Sequence, residues 1–153
     1  LRLRGAAGYD TLASARSVYP DVSPELQEHL GDRYGGEARV MMAAIQQDPT
    51  LAETIVAGLP YTKAEVQFAV RHEMANSLDD VLSRRTRARI YARDDSADAA
   101  VAVAALMAEE LDWDDVTLKE NIDSYCASIE HERQAASLPE THLSSLLHSS
   151  ADL

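Results

Sequence analysis

Apolar residues recur at helical spacing along most of this chain, and the breaks between the runs fall at residues that start or stop helices. Asp10 is placed to cap a short helix through Val18, which Pro20 stops. Ser23 and Pro24 mark a second start, because the hydroxyl can accept from first-turn amides and proline suits the first helical position. Leu26, Leu30 and Tyr34 follow on one face, and Gly35 with Gly36 ends that helix. Val40, Met41, Ala44 and Ile45 form the next stripe, closed by Asp48 and Pro49. Residues 49–60 lack a clear period; 53–56 read as a brief extended piece and 58–60 as a turn.

The clearest helix start comes next. Thr62 and Glu65 have the spacing of a capping box, with Tyr61 and Val66 at the positions of a hydrophobic staple. Val66, Ala69, Val70 and Met74 would share one apolar face. Asn76 and Ser77 can break and recap the chain, after which Leu78, Val81, Leu82 and Ile90 predict a second helix at a new angle. Ser96 is expected to cap a helix over 97–111, with Asp98 in its first turn and Ala100, Val103, Ala104, Met107 and Leu111 on its inner face. Asp112 is expected to cap the last long helix, where Leu118, Ile122, Tyr125 and Ile129 repeat at helical intervals. Residues 137–153 are polar and serine-rich and read as a loose tail. The expected architecture is all-α, a compact bundle of about six to seven helices with short connections.

At 153 residues the chain is long enough for one domain with a real core. Its formal charge of −12 excludes the basic surface that non-specific nucleic-acid binding needs, and excludes adhesion to anionic lipid by charge alone. Cys126 is the single cysteine, so there is no internal disulfide, which fits a reducing compartment. No apolar run approaches the roughly 18 to 20 residues of a transmembrane helix, and no signal peptide is visible. The opening "LRLRGAAGYD" reads as a linker, and the chain as a fragment of a longer protein.

Several residues invite chemistry. His72-Glu73-Met74 begins like a zinc-protease helix, but the second histidine of that motif would stand at Asn76, so the ligand pair is incomplete. His29, His72, His131, His142 and His148 are scattered, with no convincing ligand spacing. No nucleophile elbow, dinucleotide fingerprint or P-loop is present. The arginines are harder to dismiss. Arg84, Arg85, Arg87, Arg89 and Arg93 are five of the twelve in an acidic chain. On a regular helix from Leu78, Arg85 would point toward the apolar side and need a partner, with Glu73, Glu65 or an acid from another domain as candidates. Asp80 and Arg84 form an i,i+4 pair. The run reads as a solvated basic helix end, a docking surface or an anion site. Residues 94–132, by contrast, hold twelve acids against Lys119 alone, which predicts outward acidic faces on the last helices.

At residues 59–91, "LPYTKAEVQFAVRHEMANSLDDVLSRRTRARIY" resembles the signature stretch of the C-terminal helical domain of FAD-dependent, aerobic glycerol-3-phosphate dehydrogenases. The matching positions are Glu65, His72, Glu73, Asp80, Arg84, Arg85 and Thr86. "HLGDRYGGEA" resembles an upstream family segment through Leu30, Tyr34 and Gly35, and "VAALMAEELDWDD" a downstream one through Met107, Glu110, Leu111 and Trp113. The resemblance implies a parent flavoprotein that oxidises sn-glycerol 3-phosphate to dihydroxyacetone phosphate and passes electrons to quinone. It implies a cytoplasmic location, with the parent peripheral on the inner face of the cytoplasmic membrane. FAD and substrate would be held by a preceding N-terminal flavin domain, so no catalytic, cofactor-binding or metal residue carries over to this chain. The implied division is a linker over 1–9, a helical domain over 10–136 and a polar tail over 137–153. The seven matched polar residues would then fix two helices and dock them on the flavin domain, with the surface around Arg84 to Arg93 facing that partner. The rival reading is an independent acidic helical protein-interaction domain. Neither reading involves nucleic acid or a transmembrane helix.

Overall fold

The computed structural model describes residues 5–9 and 19–136. The expected helix at 10–18 and the tail at 137–153 lie outside the described residues. Among the described residues there are seven α-helices: α1 (Pro24–Tyr34), α2 (Ala38–Gln47), α3 (Lys63–Glu73), α4 (Ala88–Tyr91), α5 (Arg93–Asp98), α6 (Ala100–Leu111) and α7 (Asp115–Ala136). A π-helical turn, Asp80–Arg85, lies between α3 and α4. Short 3-10 turns follow α1 and α2. The extended piece at 53–56 contributes only one antiparallel bridge, Thr54 to Thr62.

Helix α3 is the shared wall of two cores. Ala64 and Phe68 pack with Val22, Leu30, Met41, Met42 and Ile45 of the α1–α2 side. Val66 and Ala69 pack with Leu78, Val81, Leu82, Val103, Met107, Tyr125 and Ile129 on the other side. Glu65 lies between the two apolar flanks, fully buried, while Gln67 and Arg71 occupy the opposite side of the helix and bond Glu110. The capping box at Thr62 and Glu65 is present, and Tyr61 and Val66 are both buried in one core.

Five expectations change in detail. On α2, Met42 is buried while Val40 is 47% exposed, so the stripe sits one position further along than Val40 implied. Met74 does not extend the apolar face of α3; it takes a left-handed φ of 57° that ends the helix, and its side chain is 87% exposed. Ile90 does not continue the Leu78–Leu82 face and is 73% exposed. The π turn inserts an extra residue per turn, and Arg87 at φ 58° resets the direction of the chain before α4. Ser96 is not a cap. It lies inside α5, buried, donating to the Arg93 carbonyl and accepting from the Tyr125 hydroxyl at 2.9 Å. Asp112 ends α6 in the left-handed conformation, and Asp114 caps α7 by accepting from the Thr117 amide at 2.8 Å. The inner faces of α6 and α7 are otherwise as the spacing predicts.

Residues 5–8 are stitched to the glycine pair after α1. The Gly36 amide donates to the Gly5 carbonyl at 2.7 Å. A Cβ on Gly36 would lie 1.8 Å from the Ala7 carbonyl oxygen, so this backbone-on-backbone approach requires glycine.

Candidate functional site

The capping box at the start of α3 does more than begin a helix. Glu65 Oε2 accepts from the Thr62 amide at 2.8 Å and its hydroxyl at 3.2 Å. Its Oε1 accepts from the Tyr34 hydroxyl at 3.1 Å and lies 3.6 Å from Arg33 Nε. His29 Nε2 stands 3.1 and 3.2 Å from the two oxygens. One carboxylate thus gathers three side chains of successive turns of α1 onto the first turn of α3. Burial and the neighbouring Glu65 charge push the Tyr34 hydroxyl pKa well above its ordinary value, which keeps it a donor.

Arg33 links this cluster to the π turn. Its guanidinium lies 4.9 Å from the Tyr61 ring centre and donates to the Arg85 carbonyl. Arg85 in turn reaches back to the C-terminus of α3, donating to the Glu73 carbonyl at 2.7 Å and pairing with its carboxylate at 3.3 Å. A cation on the last carbonyls of a helix is favoured by both the unpaired acceptor and the helix dipole. Partly buried Asp80 accepts from the Asn76 amide and the Ser77 hydroxyl and pairs with Arg84. Burial alone would raise its pKa, but these donors outweigh it and hold the carboxyl below the ordinary range. Buried Thr86 donates to the Val81 carbonyl at 2.8 Å, closing the π turn.

Of the seven predicted positions, Glu65, Glu73 and Arg85 are joined through Arg33 across the α3–π-turn junction, Asp80 pairs with Arg84 within the π turn, and Thr86 closes that turn. His72 is exposed, with its ring 4.7 Å from Phe68. The arginine run is mostly consumed internally. Arg84 pairs with Asp79 and Asp80, and Arg93 with Asp94. Arg89 is the most enclosed of the run at 13% side-chain exposure. It bonds Asp79 and Glu132 and lies over the Tyr125 ring at 5.4 Å. Arg87 is exposed and, among the described residues, makes no ion pair. His29, Arg33, Asp79 and Glu132 were not legible as partners. The i,i+4 placement of His29 and Arg33 was a signal, but Glu65 is 36 residues from His29 in the chain. No cluster of three or more metal-ligating side chains occurs among the described residues. No helix among them is long and apolar enough to cross a membrane.

The Glu73–Arg85 contact predicts coupling. Glu73→Gln and Arg85→Met should each destabilise by roughly 1 to 2 kcal/mol, at the lower part of the range for charge-assisted bonds because both groups are a third exposed. Denaturant unfolding of the singles and the double variant should give less than the sum of the two losses. Additive losses would remove this pair from the account.

Comparison with known proteins bears on what this junction serves. Residues 1–118 match the family model described as the C-terminal domain of alpha-glycerophosphate oxidase. Glycerol-3-phosphate dehydrogenase 2 of Mycobacterium tuberculosis (strain ATCC 25618 / H37Rv) is 30% identical over 152 residues, covering 97% of this chain and 26% of that protein. Glycerol-3-phosphate dehydrogenase 1 of the same strain is 43% identical over 84 residues, covering 54% of this chain and 16% of its own length. A glycerol-3-phosphate dehydrogenase of Synechocystis sp. is 32% identical over 98 residues, covering 64% of this chain and 18% of its own. The chain thus spans at most about a quarter of the length of these relatives. No solved structure matches.

Proposed function

The chain belongs to the family of the C-terminal domain of alpha-glycerophosphate oxidase, and from that premise we propose that it is the non-catalytic helical domain of an FAD-dependent glycerol-3-phosphate dehydrogenase. The longer enzyme oxidises sn-glycerol 3-phosphate to dihydroxyacetone phosphate and delivers the electrons to quinone, acting from the inner face of the cytoplasmic membrane. Bound FAD, held by the preceding domain, would accept the two electrons removed at the substrate's secondary alcohol. This chain would supply a rigid helical body that docks on that domain.

The observation that carries the reading is the state of Glu65. Its carboxylate is fully buried and surrounded by Thr62, Tyr34 and His29 donors from its own domain. A general base must reach the proton it abstracts, and this group is committed to holding α1 on α3. Arg84 and Arg89 are likewise engaged by Asp79, Asp80 and Glu132 rather than presented to a ligand.

The test compares this chain with the longer polypeptide. Flavin fluorescence on titration with FAD, and glycerol 3-phosphate oxidation with an artificial acceptor, should both register only for the longer polypeptide. Stoichiometric FAD binding with turnover by this chain alone would overturn the reading.

A further inference from the structure

We infer that the larger domain of the same polypeptide docks on one particular face of this one: the concavity between the Gly5–Gly8 segment and the Arg33–Glu73–Arg85 cluster, with exposed Met74 as its apolar anchor. The inference rests on the function proposed above and specifies where the contact lies.

The concavity measures about 270 Å³ and is lined by Gly5, Arg33, Tyr34, Phe68 and Glu73, among others. Gly5, the first described residue, lies on its lining. Gly5 and Gly35 approach so closely that a Cβ on Gly35 would meet the Gly5 carbonyl oxygen at 2.4 Å, and Arg39 donates to the Gly8 carbonyl at 3.3 Å. A domain joined ahead of this stitched segment is delivered beside the concavity, at high effective concentration and in a restricted orientation. The relatives contain such a remainder: the match occupies 26% of the Mycobacterium tuberculosis protein and corresponds to a C-terminal domain.

The chemistry of the face suits a protein partner. Arg33, Glu73 and Arg85 hold one another through charge-assisted bonds, so their remaining donors and acceptors are already oriented. Directly after Glu73 stands Met74, 87% exposed, its left-handed backbone turning an unbranched apolar side chain outward. Single exposed apolar residues are ordinary. Here, however, Met74 directly follows Glu73, which lines the concavity. Methionine, tyrosine and arginine are the residue types that interfaces favour. The contact therefore draws on Arg33, which lines the concavity, and on Arg85, bonded to Arg33 and Glu73, rather than on the whole run from Arg84 to Arg93, because Arg84, Arg89 and Arg93 are satisfied within this domain.

Cysteine accessibility in the longer polypeptide tests this. In a Cys126→Ala background, Met74→Cys and, separately, Val116→Cys are labelled with a maleimide under native conditions. Val116 is 63% exposed on α7 and is not among the residues lining the concavity. The Met74→Cys variant should label about tenfold more slowly than the Val116→Cys variant, because access requires the interface to open. Met74→Asp should make residues 5–9 more sensitive to protease. Equal labelling rates would overturn the docking face. So would protection of position 74 that vanishes on dilution, which would assign the face to a second copy of the chain. Flavin absorbance and glycerol 3-phosphate turnover, read on the same sample, keep the two proposals separate. A flavin-free protein that protects position 74 retains the face but loses the flavoenzyme reading. A flavin-loaded, active protein with equal labelling does the reverse.

Discussion

Glu65→Ala should lower the unfolding free energy by about 3 to 5 kcal/mol, the range for removing one member of a buried charged network. The residue has no exposed surface, and truncation leaves four donors without this acceptor, the Thr62 amide and hydroxyl, the Tyr34 hydroxyl and His29 Nε2, and removes the charge beside Arg33. Water can reach some of these through the α1 side, where His29 is 18% exposed, but not the cap of α3. Glu65→Gln keeps the shape and one acceptor oxygen, yet its amide nitrogen cannot accept, so an intermediate loss is expected. Chemical denaturation measures both. Unchanged stability with lost turnover in the longer enzyme would make Glu65 a functional group rather than a structural one.

Leu82→Ala and Ile90→Ala should differ sharply, although the apolar pattern puts both on one face. Leu82 is fully buried against the α3, α6 and α7 side chains, so its truncation should cost roughly 2 to 5 kcal/mol, depending on how far the cavity collapses. Ile90 is 73% exposed, so its truncation should stay within about 0.5 kcal/mol. Equal losses would mean that the helix runs regularly through 78–91 and that the π turn is wrong.

The π turn shows where the sequence stops being informative. Local signals decided most of the architecture. Ser23 with Pro24, the glycine pair at 35–36, the capping box at Thr62 and the apolar repeat through Ile129 all act within one or two helical turns. Such signals are readable because the groups they satisfy lie within four residues of one another. The all-α class follows from them, and so does the presence of a polar arrangement at 62–86, since Thr62, Glu65, Asp80 and Arg84 pair locally.

Tertiary structure decided the rest, and in each case the reason is a partner distant in sequence or a departure from 3.6-residue periodicity. Ser96 has the chemistry of a cap, but Tyr125 of α7 draws its hydroxyl into the core. Arg89 resembles its exposed neighbours until Asp79 and Glu132 close on it and Tyr125 lies beneath it. Met74 and Ile90 keep the helical period on paper. A left-handed backbone at Met74, and the π turn followed by a left-handed Arg87, rotate both into solvent, because the faces of α3 and the π turn were already filled. Glu65 combines both levels. Its capping role was written in the spacing from Thr62, whereas its burial and its grip on His29, Arg33 and Tyr34 exist only because α1 packs across the start of α3.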